Sequence, residues 1–334
     1  MIYDCIIIGA GVTGAMIARD LSFYDLNVLL IDKHPDLAME ATKANSAIVH
    51  GGYAEAHETL KGRMSYPGRI KLQALADELH VPYRSLPTLV VGHRSDREQL
   101  EKLLHNGQRN GLTDLRVIEE DEIYEREPNL APGFELALLC EGAGTISPYE
   151  LTIALVEDAM RHGLSLHLGE EVLAIEREEE HFTLKTSLGR TLQTHYLVNA
   201  AGTAADRIAG MLGIDDYTIR PRSGEYIVLR RGSHPLPNHT IFGLPGPWGK
   251  GIVVTHTVDG NIMLGPDAEQ QDEPYSGTHI ERLKKVWAQA KQIRPDLKPE
   301  SFIRSFAGVR ASSDRGDFII RGGNAICLAA CAPD

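Results

Sequence analysis

Cysteine is scarce: four residues, Cys5, Cys140, Cys327 and Cys331, are scattered through 334 positions. That is too few to frame a small disulfide-stapled fold and suits a reducing cytoplasm. Cys327 and Cys331 sit four apart with no neighbouring histidines, which is a poor ligand set for a metal, so no metal is expected. No apolar run approaches the roughly 18 residues of a membrane span, and Asp4 stands where a signal peptide would be basic. A soluble cytoplasmic protein, at most peripheral to a membrane, is expected. Basic residues are outnumbered by acidic ones, 34 to 46, for a net charge of −12. With no basic face to neutralise phosphates, a nucleic-acid partner is excluded, and any small anion must be gripped by a few local cations. The hydrophobic share of 43% is that of a globular chain long enough for two domains or one large one.

What is present is concentrated at the start. Asp4-Cys-Ile-Ile-Ile-Gly9-Ala-Gly11-Val-Thr-Gly14, followed by an apolar-periodic stretch to Leu21, reads as buried strand, glycine turn and helix. Gly9 permits the tight turn, Gly11 lets backbone approach a pyrophosphate, and Gly14 lets helix and strand pack closely, with the helix N-terminus aimed at phosphate. A second apolar strand, 27–31, ends at Asp32, where a carboxylate would accept hydrogen bonds from a ribose diol. The pattern predicts a bound dinucleotide without a 2′-phosphate, and by itself does not separate NAD from FAD.

Farther along, helical patterns are expected over about 66–79, over 95–110 from a Ser95-x-x-Glu98 capping box, and over 148–162 from Ser147-Pro148-Tyr149-Glu150. Short strands follow over 164–168, 171–177, 182–186 and 191–194, and then a buried strand, Tyr196 to Gly202. A helix over 204–212, strands over 225–230, 251–258 and 261–265, a helix over 279–293 and a final strand pair, 302–306 and 317–320, complete the reading. This order predicts an α/β (α+β overall) protein whose chain crosses more than once between two domains.

Six segments carry a more specific likeness: Thr42-Lys-Ala-Asn45-Ser46-Ala-Ile-Val-His50-Gly51-Gly52, Val198-Asn-Ala-Ala-Gly202, Arg222-Ser-Gly-Glu-Tyr226, Gly249-Lys250-Gly251, Asp259 to Pro266, and Ser305-Phe-Ala-Gly308-Val-Arg310. With these the chain resembles the D-amino-acid-oxidase-type FAD-dependent oxidoreductases, in the branch of glycerol-3-phosphate dehydrogenases and oxidases and L-2-hydroxyglutarate oxidases. The resemblance implies a Rossmann-like FAD-binding domain of the two-dinucleotide-fold type (1–80, 145–220 and 305–334), interleaved with an antiparallel β-sheet substrate-binding domain (81–144 and 221–304). It also implies noncovalent FAD, because no flavinylation motif is recognisable. The implied reaction is oxidation of a small anionic secondary alcohol by hydride transfer to flavin N5. The first choice of substrate is sn-glycerol 3-phosphate, the second L-2-hydroxyglutarate, and the third an amine. Oxygen, a quinone or a protein all remain open as electron acceptor.

By the same resemblance Gly9, Gly11, Gly14, Asp32, Lys33, Thr42, Asn45, Ser46, Val172, Ala200, Ala201 and Gly202 contact the cofactor. His50 faces the substrate carbinol as base, Arg310 holds the substrate anion, and Lys250 lies near the reactive side of the flavin. Imidazole titrates near neutrality and a planar guanidinium grips a carboxylate or phosphate bidentately, so the residue types suit these tasks. The residues alone leave blander readings open: a histidine satisfied by backbone, an Arg310 paired with Asp314 or Asp317, a lysine in an exposed turn. Arg222 is a further cation of undecided role. Where relatives often carry Asn-Ser-Gly-Val-Ile-His, this chain has Ala47 in the glycine position, a mild change in volume near the flavin. Relatives also continue beyond the equivalent of 325–330 into a turn and a helix whose N-terminus faces the flavin pyrimidine. The sequence ends at Asp334, and on that ground weak FAD retention and slow reduction are expected, with a cofactor-binding remnant lacking catalysis as the competing reading.

Overall fold

A computed structural model describes residues 2–244, 251–321 and, for its backbone, 326–329. Two large sheets organise it. The first is ordered Val172–Arg177, Phe182–Thr186, Thr191–Asn199, Ile2–Ile8, Val28–Asp32, Ser165–Leu168, and Ile326–Ala329 adds on Thr191–Asn199 with Ile319–Arg321 beyond it. Its centre is parallel: Ile2–Ile8 runs alongside both Thr191–Asn199 and Val28–Asp32. Such strands are covered on both faces, which is why Cys5 to Ile8 and Val28 to Ile31 are continuously apolar and buried. On one face helices Val12–Ser22 and Pro148–Arg161 enclose Ile7, Leu30, Leu155 and Val198. The opposite face buries Ile6, Ile8, Leu29 and Ile31 against Phe182, Leu184 and Ile208.

Thr191–Asn199 is a single strand, where two were expected. Its first half forms a hairpin ladder with Phe182–Thr186, and its second half lies parallel to the first strand. A change of partner therefore looks like a break in pattern when read from sequence.

The second sheet is ordered Glu269–Gln270, Ile219–Leu229, Ile262–Leu264, Val253–His256, Thr240–Gly243, Thr88–Gly92, Leu136–Cys140, Leu115–Glu119, and Phe302–Ser313 pairs along the free side of Ile219–Leu229. It is antiparallel apart from one parallel junction, Thr240–Gly243 on Thr88–Gly92. Helix Ile280–Ile293 closes one face over Leu89, Ile227, Ile241 and Val254. A three-stranded sheet of Ile48–Val49, Gly144–Ile146 and Tyr83–Ser85 stands apart from both. The boundary drawn at 305 cuts through Phe302–Ser313, which pairs with Ile219–Leu229 throughout.

Two helix starts differ from expectation for identifiable reasons. The helix expected from Ser95 begins at Arg97, because Asp96 turns back to accept from the His93 amide and holds a short 3-10 turn ahead of it. The helix expected from about residue 66 begins at Leu60, capped by Thr59 and by Asp317, whose carboxylate accepts from the Leu60 and Lys61 amides at 2.8 and 3.1 Å. The start at Pro148 is as read, with Ser147 Oγ accepting from the Glu150 amide.

Candidate active site

The glycine turn is built by contact. Gly9 has φ 111°, and a Cβ there would lie 2.3 Å from the Ala200 carbonyl oxygen. At Gly14 a Cβ would fall 1.9 Å from the Gly9 carbonyl oxygen. The first turn and the turn after Asn199 thus press together, joined by the Ala200 amide donating to Ile8 at 2.8 Å. Gly11 is the N-cap of helix Val12–Ser22 and offers no side chain. The Val12 amide donates to Thr42 Oγ1 at 3.1 Å, placing Thr42 at the helix N-terminus. Asp32 accepts from the Ala10 amide through one oxygen (2.7 Å) and from the His34 amide through the other (2.8 Å). Each oxygen keeps a second lone pair, so a ribose diol can still be accommodated. Lys33 pairs with Glu40 at 2.9 Å. Burial alone would raise the Glu40 carboxyl, but His34 and Lys33 outweigh it and leave it below its usual value. Val172 is 3% exposed and packs in the core beside Phe182 and Leu184, so it can reach a cofactor only through its backbone. Backbone glycines in close contact, a helix N-terminus without a cap side chain on Gly11 and a carboxylate at the end of the second strand fit a dinucleotide.

The segment from Thr42 to His50 carries the next group. Both amide protons of Asn45 go to its own loop, to the Ala41 and Thr42 carbonyls, and Asn45 Oδ1 accepts from the Ala47 amide at 2.7 Å. Asn45 therefore shapes the loop first and leaves one acceptor lone pair for a ligand. Ala47 is held at φ 58°, so the change from the relatives' glycine bears on backbone conformation more than on volume. Ser46 Oγ lies 3.1 Å from the Tyr226 hydroxyl. His50 Nδ1 accepts from the Gly52 amide at 3.0 Å, and its ring sits 4.7 Å from that of Tyr53 and 6.2 Å from that of Phe242. In the neutral imidazole that contact puts the proton on Nε2.

Across from this segment stands the edge of the second sheet. Gly308 packs so closely on the loop that a Cβ would lie 1.7 Å from the Ala44 carbonyl oxygen. Arg310 faces Arg222 directly on the paired strand, and its Nη2 lies 3.0 Å from where a Cβ on Gly224 would stand. It also interacts with Tyr226, whose hydroxyl is pushed up by burial and partly brought back by Arg310 and Ser46. Ser46, Tyr226 and Arg310 are thus brought together. Lys250 lies outside the described residues, as do Cys331 and the last residues to Asp334. Cys5 and Cys140 are buried thiols pushed up to about 12 and about 11 by burial, the charges of Asp4 and Asp114 adding to the effect.

Sequence reasoning assigned no role to Tyr226, Gly308, Phe242 or Asn110. Asn110 ties the loop after His50 by donating to the Gly52 and Glu55 carbonyls at 2.9 and 3.0 Å. Single glycines inside strands, here Gly224 and Gly308 opposite each other, are the readable sign of a close backbone approach. Among the described residues no cluster suits a metal, and no helix is long and apolar enough to cross a membrane.

A family model described as "DAO: FAD dependent oxidoreductase" matches residues 4–332. The chain belongs to this family. Over 95% of its length it is 39% identical to a glycerol 3-phosphate dehydrogenase of Caloramator mitchellensis, of which it spans 66%. It is 28% identical over 78% of its length to the mitochondrial L-2-hydroxyglutarate dehydrogenase of Mus musculus, spanning 60% of that protein. Dithionite-reduced L-alpha-glycerophosphate oxidase from Mycoplasma pneumoniae with FAD bound superposes with a TM-score of 0.92 at 28% identity, covering 98% of this chain and 89% of the other. The fold class, the flavin cofactor and the oxidoreductase class expected from sequence all hold for this FAD-dependent oxidoreductase.

Proposed function

We propose that this FAD-dependent oxidoreductase oxidises sn-glycerol 3-phosphate to dihydroxyacetone phosphate. The observation that carries the reading is the placement of Arg310: a guanidinium held beside Tyr226 and Ser46, on the sheet edge packed against the loop that leads to His50. The names of the Caloramator dehydrogenase and the Mycoplasma oxidase support it. The glycine turn, Asp32 and Thr42 hold the nucleotide end of FAD, and the first sheet forms the core of its domain. Most of the second sheet, through which the chain passes between its visits to the first, belongs to the substrate domain. Bound FAD supplies the two-electron acceptor. Arg310 fixes the phosphate and thereby the carbinol, and Lys250 adds a second cation. His50 takes the hydroxyl proton at Nε2. For this Nδ1 must become the protonated nitrogen, so the Gly52 contact is given up at a cost of about 1 kcal/mol, the net worth of such a hydrogen bond.

Anaerobic mixing with sn-glycerol 3-phosphate, L-2-hydroxyglutarate or glycine, followed by flavin bleaching, tests the assignment before any acceptor is involved. Bleaching is expected with glycerol phosphate. His50→Ala and His50→Gln should each slow it by roughly 10²–10⁴-fold, the range for removing a general base. A His50→Gln rate near wild type would mean that His50 serves only as a hydrogen-bond donor. Bleaching by L-2-hydroxyglutarate alone would move the substrate to the second reading, to which the murine relative points.

A further inference from the structure

One buried hydroxyl joins the anion arginine to the flavin-side loop. Tyr226 is 3% exposed, and its ring stacks at 4.6 Å and 11° on Phe306, its cross-strand partner. Its oxygen lies 3.1 Å from Ser46 Oγ, and the guanidinium of Arg310, whose Nη2 lies 3.0 Å from where a Cβ on Gly224 two residues before Tyr226 would stand, interacts with it. A guanidinium only donates, so Tyr226 accepts from Arg310. The buried phenol proton in turn needs an acceptor, which Ser46 Oγ provides 3.1 Å away. The chain therefore runs from Arg310 N–H to Tyr226, and from Tyr226 O–H to Ser46.

Arg310 needs such a restraint. Directly opposite it stands Arg222, and like charges facing across antiparallel strands repel. Its neighbours along that face are the glycine pair Gly224 and Gly308, which offer no side chain to hold the arginine stem. We propose that Tyr226 is a positioning residue that keeps Arg310 aimed at the substrate anion, anchored through Ser46 to the loop that carries His50. The proposal rests on the reading of Arg310 as the anion site.

Four FAD-loaded proteins test it: wild type, Tyr226→Phe, Arg310→Ala and the double variant, compared by calorimetric titration with inorganic phosphate and by initial rates with sn-glycerol 3-phosphate. Tyr226→Phe keeps the ring stack and removes only the bridge. It should weaken phosphate binding and raise KM by about tenfold, the size of one hydrogen bond to a charged group, while kcat stays within about twofold and flavin content and melting are unchanged. In the Arg310→Ala background the same change should have no further effect, because the hydroxyl acts through that arginine. An equal loss in both backgrounds, wild-type affinity in Tyr226→Phe, or no phosphate binding by the wild type would overturn the clamp. Coupled phosphate binding without oxidation of glycerol phosphate would overturn the proposed reaction and leave the clamp standing. Should Tyr226→Phe fail to hold flavin, Ser46→Ala removes the anchor, with flavin content measured alongside because Ser46 is also read as a cofactor contact. A loss of about threefold that vanishes without Arg310 is then expected, and additivity refutes the clamp.

Discussion

Replacing Gly308 by alanine would test whether the sheet edge and the loop from Ala41 to His50 act as one unit. The new Cβ would stand 1.7 Å from the Ala44 carbonyl oxygen, 2.8 Å from its carbon and 3.2 Å from its Cβ. An ordinary carbon–oxygen contact is about 3.3 Å, so loop and strand would have to separate by roughly 1.5 Å. The obstructing atoms are backbone and cannot swing aside. Overpacking of this kind costs about 1–3 kcal/mol. The functional cost should exceed the stability cost, because Arg310 lies two residues beyond Gly308 and Ser46 two beyond Ala44. A displacement near 1 Å at reacting groups lowers turnover by about 10²-fold. The expected Gly308→Ala protein folds with a lowered denaturation midpoint, and its kcat/KM falls by about 10²-fold or more. Stopped-flow flavin reduction together with a urea melt separates the two effects. A variant that melts lower but reduces its flavin within twofold of wild type would show that the close contact is a packing detail without bearing on the site.

The loop should also respond at Ala47, held at φ 58° by the Asn45 side chain. Relief of left-handed strain, about 1–2 kcal/mol, exceeds the added chain entropy of glycine, about 0.5–1 kcal/mol, so Ala47→Gly should raise unfolding free energy by roughly 0.5 kcal/mol in denaturant titration; a clear loss would refute the strain. Asp317 gives an acid dependence. Burial would raise its carboxyl, but the Leu60, Lys61 and Phe318 amides more than compensate and hold it below the usual value. A depressed folded pKa contributes stability above the unfolded value of about 3.9 that is lost as pH falls through the folded one. Protection of the Leu60 and Lys61 amides, taken relative to their intrinsic exchange rates, should therefore fall below about pH 4, and Asp317→Asn should show weak protection already at neutral pH; pH-independent protection of these amides would contradict the cap.

The glycine turn was legible because its physics is local. Gly9, Gly11, Gly14 and Asp32 lie within one strand–helix–strand unit, and their spacing alone defines the turn. The roles expected of the His50 segment and Arg310 come from resemblance, not from any pattern in their own residues. What escaped depends on partners far away in sequence. Thr59 and Asp317 jointly cap one helix, so its start was read late. The strands Leu115–Glu119 and Leu136–Cys140 were not read at all, since the second is apolar throughout and has no alternation to mark it as a strand. Tyr226 belongs to a segment that carries the resemblance, but its contact with Ser46, 180 positions away, is not readable from sequence. Asn45 spends both its amide protons on its own loop, a local competition that side-chain inventories do not reveal and that leaves one lone pair of its carbonyl oxygen for the expected cofactor contact.

The pairing of Ile2–Ile8 with Thr191–Asn199 has a consequence for synthesis. Ile2–Ile8, apolar and buried from Cys5 onward, leaves the ribosome ahead of both partners, finds Val28–Asp32 on one side within seconds, and must wait to have its other side covered by a strand about 180 residues farther along. At roughly 5–20 residues per second that wait is about 10–40 s. Through that interval the nascent chain exposes an unpaired edge of isoleucines, the kind of edge that pairs with other chains. The yield of folded protein should therefore depend on translation speed and holdase capacity, while a finished molecule shows no trace of that exposure.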